Sequence, residues 1–406
     1  MDSKVAINNK WIRGALPAVL IHISIGSVYA FSLLVKHISE YIDKPQAKVQ
    51  FAFSLAIFFL GMSAAFGGKI VEKDIHKSAK ISMLCFCSGL CIAGLAVYLK
   101  SLLLLYLGYG CIMGIGLGTG YITPVKTLML WFKDNKGLAT GIAVCAFGFA
   151  SSVASPIMTY LLNTFTLPKV FVILAIIYVI PMTIASLILK KPDWWHEDEI
   201  DSSDFKLMSM WKNKKFVLIW LIIFINISCG LALISTASPI MTELNTNVKV
   251  IALVVSIMGV FNGAGRLVFS AVSDKLKYRY NIYYVILGLS AITTIITYTT
   301  KSNIMVYITL CVISACYGAG FSCLPTLLSD IYGMDNISKI HGLSLTAWAM
   351  AGLVGNQISS FINIRTGSYI PVLIVLFGLY TFAVVVNTIL RKSIRADITV
   401  KENINN

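Results

Sequence analysis

The sequence predicts an all-α integral membrane fold: twelve transmembrane helices in two pseudo-symmetric six-helix bundles. Three observations carry that prediction. The 406 residues are 57% hydrophobic and only 13% charged, against about 25% charged in a soluble domain. Mean hydropathy is +0.80. Apolar runs of roughly 20 residues, the length that crosses a bilayer, recur from end to end. In lipid the backbone must satisfy its own hydrogen bonds, so runs this long are helices.

The spans are predicted at 11–35, 49–71, 79–99, 102–132, 137–165 and 168–190, then 216–242, 249–273, 281–300, 303–329, 340–364 and 368–390. The first run follows "MDSKVAINNK" and is too long for the core of a cleaved signal, with no small-residue cleavage site after it. It is read as the first transmembrane helix. Between the sixth and seventh spans lies "KKPDWWHEDEIDSSDFKLMSMWKNKK", Lys190 to Lys215. Its cluster of acids and tryptophans reads as a solvated linker with interfacial tryptophans. The expected domains are 1–190, a six-helix bundle; 191–215, a cytoplasmic linker; and 216–406, a second bundle with a cytoplasmic tail.

Net charge is +15. The placement of charge argues against a nucleic-acid partner. With the N-terminus inside, cytoplasmic segments hold 23 Lys/Arg and outer loops 8; Lys126 and Arg266 complete the 33. That bias places both termini in the cytoplasm, in a multi-pass protein of the cell (inner) membrane. All nine cysteines fall in apolar spans, without metal spacing. No metal, cofactor or catalytic set is expected: there is no P-loop, no H-E-x-x-H, and no buried Ser/His/Asp set. The protein is therefore not expected to be an enzyme.

The halves repeat at an offset near 202 residues. "FFLGMSAAFGGKIVEK" (Phe58–Lys73) overlies "VFNGAGRLVFSAVSDK" (Val260–Lys275). "GTGYITP" parallels "GAGFSCLP", and "KGLATG" parallels "HGLSLT". Such repeats characterise carriers that work by alternating access.

Within the second repeat, "FNGAGRLVFSAVSD" places Arg266 eight residues from Asp274, which anchors the end of the span. At about 1.5 Å per residue that is about 12 Å of depth, near the bilayer midplane. An unpaired arginine there costs about 2.5–3.5 kcal/mol or more. None of the eighteen Asp and Glu lies deep in a span. Position 266 pairs with Ala64 in the repeat, so the fold itself does not require the charge. A substrate anion is the partner that remains, since a guanidinium fork grips a carboxylate bidentately. Asn262 and Ser270 flank Arg266 at four-residue spacing on one helix face. Further candidates for the site are His22 and Tyr29 in span one, Tyr121 and Lys126 in span four, Tyr317 and Phe321 in span ten, and Trp348 in span eleven. Lys126 could instead snorkel inward, and a buried His22 could be structural or could titrate.

The two-by-six layout, with "GKIVEK" and "SAVSDK" after spans two and eight, resembles the major facilitator superfamily. The resemblance implies that Glu72, Lys73, Asp274 and Lys275 gate the cytoplasmic side, each acid near the start of helix five or eleven. "SIGSVYAFSLLV", "VQFAFSLAIFFLGMSAAFGGK", "WFKDNKGLATGIAV" and "LTAWAMAGLVG" resemble the oxalate/formate antiporter family, relatives of the monocarboxylate transporters. In the latter an aspartate stands where this chain has Asn262, and a lysine where it has Leu33. The second cation of the oxalate carriers has no counterpart in span eleven. These departures favour a small monocarboxylate such as formate, lactate or pyruvate, moved by exchange or facilitated transport. Proton-coupled monocarboxylate symport, oxalate/formate-type dicarboxylate antiport, and a non-transporting sensor on a transporter fold stay open. The expected partners are a small organic anion and the lipid bilayer, and the expected state is a monomer.

Overall fold

A computed structural model describes residues 9–195 and 207–405, and every described regular element is helical. Of the "DWWHEDE" motif, Asp193–Trp195 are described; the remainder lies outside the described residues. The first half holds α1 (Lys10–Phe31), α2 (Gln46–Lys73), α3 (Ile75–Tyr98), α4 (Leu102–Trp131), α5 (Lys136–Thr164) and α6 (Leu167–Ile188). The second holds α7 (Lys214–Ser235), α8 (Val248–Asp274), α9 (Tyr280–Thr300), α10 (Asn303–Tyr332), α11 (Thr346–Thr366) and α12 (Val372–Asn405).

Eleven of these helices contain stretches long and apolar enough to cross a membrane. The eleventh predicted span differs. It is divided into Ile337–Ser344 and α11, and α11 carries Asn356, Gln357, Ser359, Ser360, Asn363 and Arg365. α11 lies against α2 and α7, and its buried Ser359 donates to the Ala232 carbonyl of α7 at 2.9 Å.

Helix contacts obey the internal repeat. In the first half α1 packs on α5, α2 on α4 and α3 on α6. In the second half α7 packs on α11, α8 on α10 and α9 on α12. The halves meet through α5 on α8 and α2 on α11. Faces turned away from these contacts are apolar: Ile176, Ile180 and Ile184 form an exposed stripe along α6. Such a stripe suits hydrocarbon, whereas buried polar side chains collect inside, where partners can satisfy them.

Candidate functional site

Arg266 is fully buried in α8. Asn262, one turn earlier, accepts from its Nε at 2.9 Å. One turn later, the Ser270 hydroxyl donates to the Arg266 carbonyl at 2.5 Å. Nη1 reaches across to the Val144 carbonyl of α5 at 3.4 Å, and Nη2 has no hydrogen-bond partner. No carboxylate among the described residues lies within ion-pair distance of Arg266. Its side chain threads between two glycines from different helices. A Cβ added at Gly148 would come 3.2 Å from the Arg266 Nε, and one at Gly318 would come 2.9 Å from its Cγ. Those positions must stay small for the guanidinium to lie where it does.

Aromatic rings enclose the charge. The guanidinium carbon is 5.5 Å from the centre of Phe147 and 5.2 Å from that of Phe321. Trp348 packs on Phe321 at 4.3 Å, on Tyr121 at 5.4 Å and on Phe147 at 5.8 Å. Tyr121 is also edge-on to His22 at 5.3 Å. Both ring nitrogens of His22 lie against backbone carbonyls, Ala18 at 3.0 Å and Tyr121 at 3.2 Å. The Tyr121 hydroxyl and the Trp348 indole N–H, like Arg266 Nη2, are buried without a partner. Among the described residues, these three donors meet no partner of hydrogen-bond geometry.

A cavity of about 380 Å³ opens above this cluster, on the side away from the loops that follow α2 and α8. Tyr29, Gly148, Asn262 and Tyr317 line it, and the hydroxyls of Tyr29 and Tyr317 lie 3.2 Å apart. Arg266 does not line the cavity; it lies behind these neighbours, shielded from it.

The opposite side is shut. The Asp274 carboxylate accepts the N–H groups of Gly137 and Leu138 at the start of α5, both at 2.8 Å. Glu72 accepts the Ser338 N–H at 2.9 Å, at the start of Ile337–Ser344. A carboxylate at a helix start meets unsatisfied N–H groups and the positive end of the helix dipole. The two halves repeat this contact in mirror fashion.

The structure places most of the predicted residues in one cluster: Arg266, Asn262, Tyr29, Tyr121, Tyr317, Phe321, Trp348 and His22. Glu72 and Asp274 lie at the shut side, and three further predicted residues also lie outside the cluster. Lys126 pairs with the buried Glu72 and donates to the Asp335 carbonyl at 3.3 Å, apart from Arg266. Lys73 and Lys275 are exposed and take no part in the acid contacts. A helix turns about 100° per residue, which swings each lysine away from the acid beside it. Lys126 serves Glu72 instead. Arg279 serves Asp274, at 2.7 Å, and also reaches Asp330 at 2.7 Å.

Two site residues escaped the sequence reading. Phe147 is the hub of the aromatic cluster, and its only signal was a bulky ring in the small-residue run "AVCAFGFASS". His341, in the repeat motif "HGLSLT", is fully buried 6.1 Å from Tyr121, with Nε2 unpartnered.

Residues 17–356 match the family described as the Major Facilitator Superfamily. The chain belongs to that superfamily of membrane transporters. It is similar to an uncharacterized MFS-type transporter, YhjX, of Escherichia coli, with 24% identity over 82% of this chain and 83% of the relative. It is also similar to the oxalate:formate antiporter of Oxalobacter formigenes, with 24% identity over 93% of this chain and 92% of that one. Among solved structures, the superfamily transporter FucP in its outward conformation superposes with a TM-score of 0.70 at 12% identity, covering 94% of this chain and 99% of that one. The likeness to FucP is of fold alone.

Proposed function

We propose that this transporter carries a small monocarboxylate, held by Arg266 and moved by alternating access in exchange for another anion or by facilitated diffusion. The supporting observation is the fully buried guanidinium with no carboxylate among the described residues to answer it, and the donors of Nη2, Tyr121 and Trp348 there without a partner of hydrogen-bond geometry. A carboxylate brings the missing charge and acceptor lone pairs. One deep cation suits one carboxylate, and an aromatic wall suits a short organic remainder.

The substrate enters through the open cavity, parts the Tyr29–Tyr317 contact and meets Arg266. The halves, 1–190 and 216–406, then rock about α5–α8 and α2–α11. The contacts of Asp274 and Glu72 at the helix starts break as the other side opens. The basic loops on that side, with both termini, face the cytoplasm, and a single chain suffices.

Uptake of labelled formate, lactate, pyruvate and oxalate into proteoliposomes tests this, with and without an internal counter-anion. Monocarboxylate uptake that Arg266→Gln abolishes is expected. Preferred uptake of oxalate, or uptake that vanishes when a pH gradient is collapsed, would replace this reading with dicarboxylate antiport or proton symport.

A further inference from the structure

A second polar cavity, of about 220 Å³, lies on the shut side of the molecule, far from Arg266. It is walled by Lys10 at the start of α1, by Trp131 to Asn135 between α4 and α5, and by Trp194 of the linker. Its walls are tied together. The Trp131 indole donates to the Lys190 carbonyl at 2.8 Å, and the Lys190 N–H donates to the Arg13 carbonyl at 3.1 Å. Both lysines are steered by rings: the Lys10 ammonium sits 3.6 Å from the Phe132 ring centre and the Lys133 ammonium 3.3 Å from that of Trp194. Among the described residues neither lysine has an ion-pair partner. The Asp134 carboxylate also lines the cavity and sets the site against highly charged anions. Two ammonium groups and one carboxylate suit a group of single negative charge.

The neighbouring surface names the source of that charge. Trp11, Ile12 and Leu16, which follow Lys10 along α1, are 49%, 46% and 44% exposed. They give an apolar track leading from the cavity toward the middle of the span. Tryptophans at the rim of a span favour the headgroup level, and basic pockets at the ends of transmembrane helices suit anionic headgroups.

We propose that this cavity holds the phosphodiester of an anionic phospholipid, between Lys10 and Lys133, with an acyl chain along Trp11, Ile12 and Leu16. The test uses the purified full chain in neutral detergent. Phosphatidylglycerol should raise the thermal midpoint, whereas phosphatidylcholine and inorganic phosphate should not. The double variant Lys10→Gln/Lys133→Gln should lose the phosphatidylglycerol increment and keep the midpoint shift caused by a transported anion. Native mass spectrometry of the wild type should show phosphatidylglycerol retained in preference to phosphatidylcholine. An increment that survives in the double variant, one produced by inorganic phosphate alone, or no preferential retention overturns the proposal.

Discussion

The hydroxyls of Tyr29 and Tyr317 meet at 3.2 Å and join α1 of one half to α10 of the other, between the open cavity and Arg266. The pair is a thin partition: one neutral hydrogen bond, with the rings of Phe147 and Phe321 behind it at 5.3 Å from Tyr29 and 5.2 Å from Tyr317. Tyr317→Phe removes the bond and keeps the ring. A neutral hydrogen bond contributes about 1 kcal/mol net, so reagent access to Arg266 should rise about fivefold. Arginine-directed modification, read by mass spectrometry at Arg266, checks this. An unchanged rate would mean that the partition is held by packing alone.

Arg266 offers both charge and fork, and two substitutions separate them. Arg266→Gln removes the charge, and a charged hydrogen bond contributes about 1.5–3 kcal/mol, so anion affinity should fall about 10- to 150-fold. Arg266→Lys keeps the charge but presents a point cation, and its affinity should lie between the two. Thermal-shift titration with the transported anion measures both. Equal affinities in Lys and Gln variants would show that charge is not what binds.

How much of this was legible in the sequence depends on where each signal lives. Arg266 was legible because a charge within an apolar run is conspicuous, and its depth follows from helix rise alone. Asp274 and Glu72 were legible because the repeat set them in register with each other. Their cations were not. Lys73 and Lys275 adjoin the acids in sequence, but pairing in space goes to Lys126 of α4 and to Arg279 after the turn, and helix packing decides both. Phe147 and His341 carried no charge anomaly or periodic mark, so only the crossing of α5 and the run-in to α11 beside α4 reveals them. The break of span eleven into two helices was hidden for a related reason. Its polar residues lower the apolar signal, and the contacts of α11 with α2 and α7 are tertiary.

Outside the spans, Asp74 caps α3, its carboxylate accepting the Lys77 N–H at 2.9 Å. That bond to the ionised form, with smaller help from nearby His76 and Lys77, holds its pKa below the usual 3.8. A depressed carboxylate pKa adds stability that is fully present above 3.8 and is lost as pH falls through the lower folded value. Asp74→Ala should therefore lower the thermal midpoint at pH 7, and the gap between variant and wild type should close only in more acidic solution than pH 3.8. Melting curves across pH decide this; a gap independent of pH would assign the loss to helix propensity instead of the ionised cap.

On the proposed alternating-access reading, the acids at the shut side hold one conformation and not the other, and that asymmetry gives the clearest prediction of direction. Asp274 satisfies two N–H groups of α5 and pairs with Arg279; Glu72 satisfies Ser338 and pairs with Lys126. Asp274→Asn keeps the shape and loses the charge at the helix start, an effect of about 0.3–2 kcal/mol, depending on burial. Asp274 is nearly buried, its side chain 8% exposed, which favours the upper part of that range. The population open on this side should rise by up to about thirtyfold, read by spin-label distances between the ends of α5 and α8 at the Asp274 side. Glu72→Gln should act in the same direction through α2 and the Ile337–Ser344 helix. The double variant should approach the sum of the two in free energy, because the contacts lie on different helix pairs and share no partner. If Asp274→Asn left the distance distribution unchanged while Glu72→Gln shifted it, the shut side would depend on a single latch, and the internal repeat would have kept the geometry of the second without its force.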